Sequence, residues 1–116
     1  MNVYSDHGVL VVVLAERDLK DPVTLNETFE EMVVRQGRRK ILVDLSPVET
    51  MNSLMIGAIV GLHIIAYENV AVLKFTGLSE HLKMLFRLLG VDKLLELHYG
   101  KEAAVESFGP APEPDA

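Results

Sequence analysis

From Thr50 to Tyr67 the chain runs for eighteen residues without a charged side chain. That stretch restricts the possible folds more than any other segment. Its length touches the lower limit for a membrane-spanning helix. Against that reading, Asn52, Ser53 and His63 are polar, Gly57 and Gly61 lower helix propensity, and no basic anchor flanks it. The pattern predicts instead a helix over Ser53–Tyr67, buried around much of its circumference in an α/β domain. Gly57 and Gly61 stand four apart, so they share a face and permit close approach of a strand or helix.

Three apolar runs read as core strands. Gly8–Leu14 carries six consecutive apolar residues, mostly β-branched, and lies between charged turns. Ile41–Leu45 stops at Ser46-Pro47, which does not easily continue a ladder. Val70–Phe75 stops at Thr76-Gly77. A short strand at Val3–Ser5 joins the first through Asp6-His7-Gly8, a hairpin turn by composition. Leu94–Leu97 reads as a short edge strand.

Between these lie helical patterns. From Val23 the apolar positions Val23, Leu25, Phe29, Met32 and Val33 fall largely on one face. Thr24 is its expected N-cap, with Glu27 completing a capping box. Gly37 is its expected C-terminal cap, with Arg38, Arg39 and Lys40 near the negative end of the helix dipole. Ser79 caps another helix, whose stripe is Leu82, Leu85, Phe86 and Leu89 and which Gly90 ends. Lys101–Phe108 is the last helix. The order ββαβαβα(β)α gives an α/β domain with a central mixed sheet of four to five strands and helices packed on it. Residues 1–108 form that domain, and 109–116, with three prolines in eight residues, form a disordered tail.

Composition excludes several classes. At 116 residues one core is the rule. No cysteine means no disulfide, zinc-thiolate site or thiol nucleophile. A net charge of −6, spread over both halves, does not suit a nucleic-acid-binding face. Nothing resembling a signal peptide opens the chain, so a cytoplasmic location is expected without direct membrane insertion.

No catalytic motif stands out. Gly57 and Gly61 lack the lysine and the glycine spacing of a phosphate loop. His7, His63, His81 and His98 have no metal-ligand spacing, and His63 on an apolar helix reads as a core or interface residue. Asp44 closes a strand, with only Glu49 as a nearby second carboxylate. Ser53 and His63 are about 15 Å apart by helix rise, too far for a dyad. No catalytic residue, metal ligand or cofactor is therefore assigned.

The segment Ile41–Leu62, ILVDLSPVETMNSLMIGAIVGL, resembles the STAS domain family of bacterial anti-sigma factor antagonists. Members typically show a strand leaving through D-L-S-x-V, then D-S-S/T-G-L-G-A-L at the start of a helix. Asp44-Leu45-Ser46 and Val48 match the strand exit, Met51 the apolar turn position, and Asn52 through Ala58 the helix start. Val72–Phe75 fits the next strand. Leu85 and Leu88–Leu95 resemble the following helix-to-strand segment, and Lys101–Ala104 the start of the last helix.

The resemblance implies a non-catalytic, STAS-type regulatory domain that binds a protein through the motif. Its surface would be Glu49, Thr50, Asn52, Ser53, Leu54 and Met55. The partner would be an anti-sigma factor with serine-kinase activity. In switching members the phosphoacceptor is the third motif residue, which here is Leu54, without a hydroxyl. Asn52 replaces the usual aspartate and Met55 the usual glycine; Leu54 and Met55, in place of a hydroxyl residue and a glycine, make the surface more apolar and admit a homodimer through the same patch. Ser53 keeps a hydroxyl one residue early and is the remaining phosphorylation candidate, although as a plain residue it reads as the N-cap. The alternative is an architectural subunit of a stress-signalling complex or of a lipid-transport ABC system.

Overall fold

The computed structural model describes residues 1–109. Five strands, β1 (Asn2–Asp6), β2 (Val9–Val13), β3 (Lys40–Asp44), β4 (Val72–Thr76) and β5 (Glu96–Leu97), form one sheet in the order β1-β2-β3-β4-β5. β1 is antiparallel to β2, and the other pairs are parallel. Asp6 pairs with Val9 around a two-residue turn, His7 and Gly8, with φ of +50° and +82°. Two successive positive φ values match the twist of a tight hairpin. Each parallel pair after β2 is joined through helices, as parallel pairing requires.

The helices are α1 (Glu16–Leu19), α2 (Pro22–Glu30), α3 (Ser53–Glu68), α4 (Glu80–Leu89) and α5 (Lys101–Glu106). Alternation along β2 divides the core. Leu10, Val12 and Leu14 point into a large cluster with Leu19, Leu25, Phe29, Ile59, Leu62, Leu82 and Phe86 from α1–α4. Val9 and Val11 point the other way, to Leu42 and to Ala104 and Val105 of α5. β2 and β3 are covered on both faces, which explains their unbroken aliphatic runs.

Several expectations are corrected at helix ends. Asp21, not Thr24, caps α2. Its carboxylate accepts from the Thr24 N–H at 3.3 Å, and Pro22 takes the first helical position, where no N–H is needed. α1 was not expected, because Glu16-Arg17-Asp18 reads as a boundary. It forms as the Asp18 carboxylate takes the Ala15 N–H at 2.8 Å and Leu19 is buried. α2 continues through a π-helical turn at Glu31–Arg35, and Gly37 at φ +66° closes it as expected, with Arg38 N–H on Met32 C=O at 3.0 Å. Arg39 donates to Val33 C=O at 2.8 Å, so it serves the helix end. Leu89 is exposed at the end of α4 rather than part of its core stripe.

α3 spans the predicted segment, but only one side is buried: Met55, Ala58, Ile59, Leu62 and Ala66. The glycines differ. A Cβ on Gly61 would lie 3.3 Å from the Asn26 side chain of α2, whereas Gly57 has nothing within 4 Å. Close approach therefore holds at Gly61 alone. The expected tail beyond Gly109 lies outside the described residues.

Candidate functional site

The loop from β3 to α3 is fixed from both sides. Asp44 Oδ1 accepts from the Ser46 backbone N–H at 2.9 Å and from the Ser46 hydroxyl. Gly77, at φ +79°, closes over this turn, and a Cβ there would collide with Asp44 and come within 2.7 Å of Ser46 N. Asp44 is thus committed to holding a turn. Val48 and Met51 are buried and anchor the loop in the core. Ser79 donates its hydroxyl to Glu49 C=O at 3.2 Å, and Thr50 Oγ1 lies 3.3 Å from His81 Nε2, so the loop is also stapled to the start of α4.

Asn52, not Ser53, is the N-cap of α3. Its side-chain oxygen accepts the Met55 N–H at 3.0 Å. That moves Ser53 to the first helical position, where its exposed hydroxyl has no hydrogen-bond partner among the described residues. Leu54 follows with 54% of its surface exposed. Glu49, Thr50 and Asn52 are exposed beside them. Met55 departs from expectation: it is 3% exposed and packs in the main core. The helical turn carries it about 200° from Ser53, onto the buried side. The surface therefore comprises Glu49, Thr50, Asn52, Ser53 and Leu54, next to N–H groups at a helix start that favour negative charge.

A second polar cluster went unseen in the sequence. Lys74 lies within an apolar strand, yet its ammonium donates to Ser107 C=O at 3.0 Å and Ser107 Oγ at 2.8 Å, and pairs with Glu96 at 2.9 Å. It also sits 4.6 Å from the Phe108 ring centroid. His98 Nε2 is 2.8 Å from Glu96 Oε2. Burial pushes the Glu96 carboxyl up, but hydrogen bonds from His98 and Lys74 and their charges outweigh it and hold the group below its usual value of 4.5. The only sequence signal was a lysine at an inward-alternating strand position.

The cluster does not make a hydrolytic triad. The same nitrogen, His98 Nε2, faces both Glu96 and Ser107, the latter at 3.5 Å, whereas proton relay needs opposite ring nitrogens. The Ser107 hydroxyl is committed to Ala104 C=O at 2.6 Å. Among the described residues, no three His, Asp or Glu side chains converge into a metal-binding group. The His63 ring lies 6.4 Å from the Tyr67 ring, centroid to centroid. No helix of the described residues is long and apolar enough to cross a membrane.

Residues 5–96 match the family described as "Mlab, STAS domain". Solved structures agree in fold. A putative anti-sigma factor antagonist from Thermotoga maritima is 15% identical, with 91% of this chain and 92% of that chain covered and a TM-score of 0.75. A chain of the stressosome, described as a signal integration and transduction hub, is 14% identical, with coverages of 91% and 94% and a TM-score of 0.79. A STAS domain protein from Planctomyces limnophilus is 19% identical, with coverages of 91% and 95% and a TM-score of 0.75. Among curated proteins, none matches the sequence. The chain belongs to the STAS domain family, and its fold is that of anti-sigma factor antagonists.

Proposed function

We propose that this STAS domain is a non-catalytic regulator of the anti-sigma factor antagonist type. It binds a protein partner through Glu49, Thr50, Asn52, Ser53 and Leu54, and it lacks the usual phosphate switch. The observation that carries this reading is Leu54: an aliphatic side chain more than half exposed at the first turn of α3, where switching members hold the phosphoacceptor. An apolar side chain held in water beside a fixed loop gains free energy when a partner covers it. A kinase-bearing anti-sigma factor is the partner class that the family favours.

Ser53 remains chemically able to accept phosphate, because its hydroxyl is exposed and not used as the cap. Phosphate there would place roughly 1.5–2 negative charges at a helix N-terminus, an electrostatically favourable place. It would also change the surface that a partner meets. An architectural role in a larger assembly is the second reading. It is favoured by the same residue, since Leu54 keeps the surface and removes the switch.

The test uses the purified chain as bait, with Leu54→Glu as the matched control, followed by reconstitution of any recovered pair from purified components. A partner held by the wild type and lost at least tenfold with Leu54→Glu supports the reading. A partner that binds both equally sinks it. Incubation with a recovered kinase and ATP, followed by mass spectrometry of residues 51–57, separates the two readings. Phosphate at Ser53 contradicts the unswitched reading and restores partner switching.

A further inference from the structure

Past the carboxyl ends of β4 and β5 a recess opens between α4 and the chain that leaves β5. Leu78, Lys83, Arg87, Asp92, Leu97 and Tyr99 line it. Leu78 and Leu97 pack on the main core, so that wall is fixed. Arg87 and Asp92 carry opposite charges, yet they do not pair. Among the described residues the Arg87 guanidinium makes no hydrogen bond or ion pair, and Asp92 Oδ1 is buried without a hydrogen-bond partner. We infer that this recess binds a small zwitterion, an α-amino acid with a short side chain, whose carboxylate meets the Arg87 guanidinium and whose ammonium meets the Asp92 carboxylate.

Charge sets the ligand class. A buried carboxylate oxygen without a donor costs free energy, so such a group normally takes one from the protein. Other grooves of this chain follow that rule. Beside Val34, Arg35 pairs with Glu31 at 3.3 Å. Beside Thr28, Asp18 takes the Ala15 N–H and Asp21 caps α2. In the recess, by contrast, two opposite charges stay beyond ion-pair distance, and a ligand with one charge of each sign satisfies both. The other basic groups are committed. Lys83 pairs with Glu80 at 2.9 Å and stands 4.5 Å from the Tyr99 ring centroid. His98, also at the recess, turns Nε2 to Glu96 at 2.8 Å. The anionic end therefore falls to Arg87, whose planar fork suits a carboxylate.

Size narrows the class. The recess measures about 40 Å³. On that measure one water needs roughly 10–15 Å³, so about three heavy atoms fit inside. An ammonium and an α-carbon fill most of that, with the carboxylate at the exposed Arg87. Nucleotides and sugars are too large to seat. A lone carboxylate or phosphate sets a second anion beside Asp92, and a lone amine leaves Arg87 unpaired. None of the lining residues belongs to the Glu49–Leu54 surface, so this site is separate from the partner reading.

The test is a two-dimensional amide NMR titration of the full chain at neutral pH. Glycine and L-alanine are expected to give saturable shifts at the amides of Leu78, Asp92 and Tyr99. Acetate and methylammonium, the two halves of the ligand, should give none there, and L-phenylalanine should bind at least tenfold more weakly than glycine. Arg87→Gln should weaken glycine at least tenfold, as loss of a charged hydrogen-bond partner does. Arg87 is exposed, so this variant should keep the wild-type circular dichroism spectrum. Asp92→Asn should weaken glycine to a similar extent. The absence of any saturable shift with either amino acid overturns the inference. Acetate binding as tightly as glycine does so too, because it marks a plain anion site, and so does wild-type affinity in Arg87→Gln or tight binding of L-phenylalanine. Leu54→Glu should leave glycine binding unchanged, so failure of this site and failure of the partner reading are told apart.

Discussion

Lys74 and Glu96 are register partners across the β4–β5 pair, and their charged ends meet at 2.9 Å. The ammonium is almost buried, at 7% exposure for the residue, while the carboxylate stays half in water. Lys74 therefore carries most of the desolvation cost, which its two bonds to Ser107 and its pairing with Glu96 offset. It links α5 to the sheet edge. We expect Lys74→Ala to lose about 2–3 kcal/mol in urea denaturation, because a cavity opens and Ser107 loses its donor. Lys74→Met, which keeps the volume, should recover part of that loss.

Glu96 makes part of this linkage depend on pH. Its carboxyl is held below 4.5 in the folded state. A depressed folded pKa contributes stability that is fully present above the unfolded value and is lost as pH falls through the folded one. Wild-type stability should therefore decline as the pH falls below about 4.5, and Glu96→Gln should make that decline shallower. Equal slopes for the two proteins would show that Glu96 is not coupled to folding.

Val70 closes α3 with φ +56° and 83% exposure. The Ala71 N–H reaches Ala66 C=O at 2.9 Å across it, a helix end that normally uses glycine. A β-branched residue in this conformation costs about 1–2 kcal/mol. Val70→Gly should raise stability by about 1 kcal/mol, less than the strain because glycine gains entropy in the unfolded chain. A thermal melt checks the sign.

Gly77 shows the opposite case. Its φ is +79°, and a Cβ would strike the Asp44–Ser46 turn. Gly77→Ala combines left-handed strain with a collision against backbone, and should cost at least about 2 kcal/mol. Gly90 has φ +74° but open space around its Cβ position. Gly90→Ala should cost only the strain, about 1 kcal/mol, so the difference between the two variants measures the collision.

The same distinction shows what the sequence could disclose. Apolar runs located the strands, and glycines at Gly37 and Gly90 marked helix ends, because those signals act within a few residues. The uncharged Thr50–Tyr67 segment gave a helix but not its exposed side. Periodicity is weak where nearly every position is uncharged and most are apolar, and packing against α1, α2 and β4 decides which residues face the core. Position in the family motif places Met55 on the surface, and packing in the core overrides that placement. Lys74 went unread because its acceptors, Glu96 and Ser107, lie 22 and 33 residues away. The caps were misplaced by one residue at α3 and three at α2, since Asn, Ser, Asp and Thr all accept backbone N–H groups and only loop geometry chooses among them.

The assignment of Asn52 as the α3 cap separates two neighbouring side chains that the sequence could not. Asn52 accepts the Met55 N–H, whereas the Ser53 hydroxyl makes no hydrogen bond among the described residues. Asn52→Ala should destabilise by about 1 kcal/mol, the usual worth of a cap. Ser53→Ala, at an exposed first-turn position, should stay within about 0.5 kcal/mol of wild type. Asn52→Asp should hold or gain stability, because a carboxylate caps as well and also meets the positive end of α3. Chemical denaturation of the three variants checks the order. If Ser53→Ala costs as much as Asn52→Ala, the hydroxyl shares the capping role and is less free to accept phosphate.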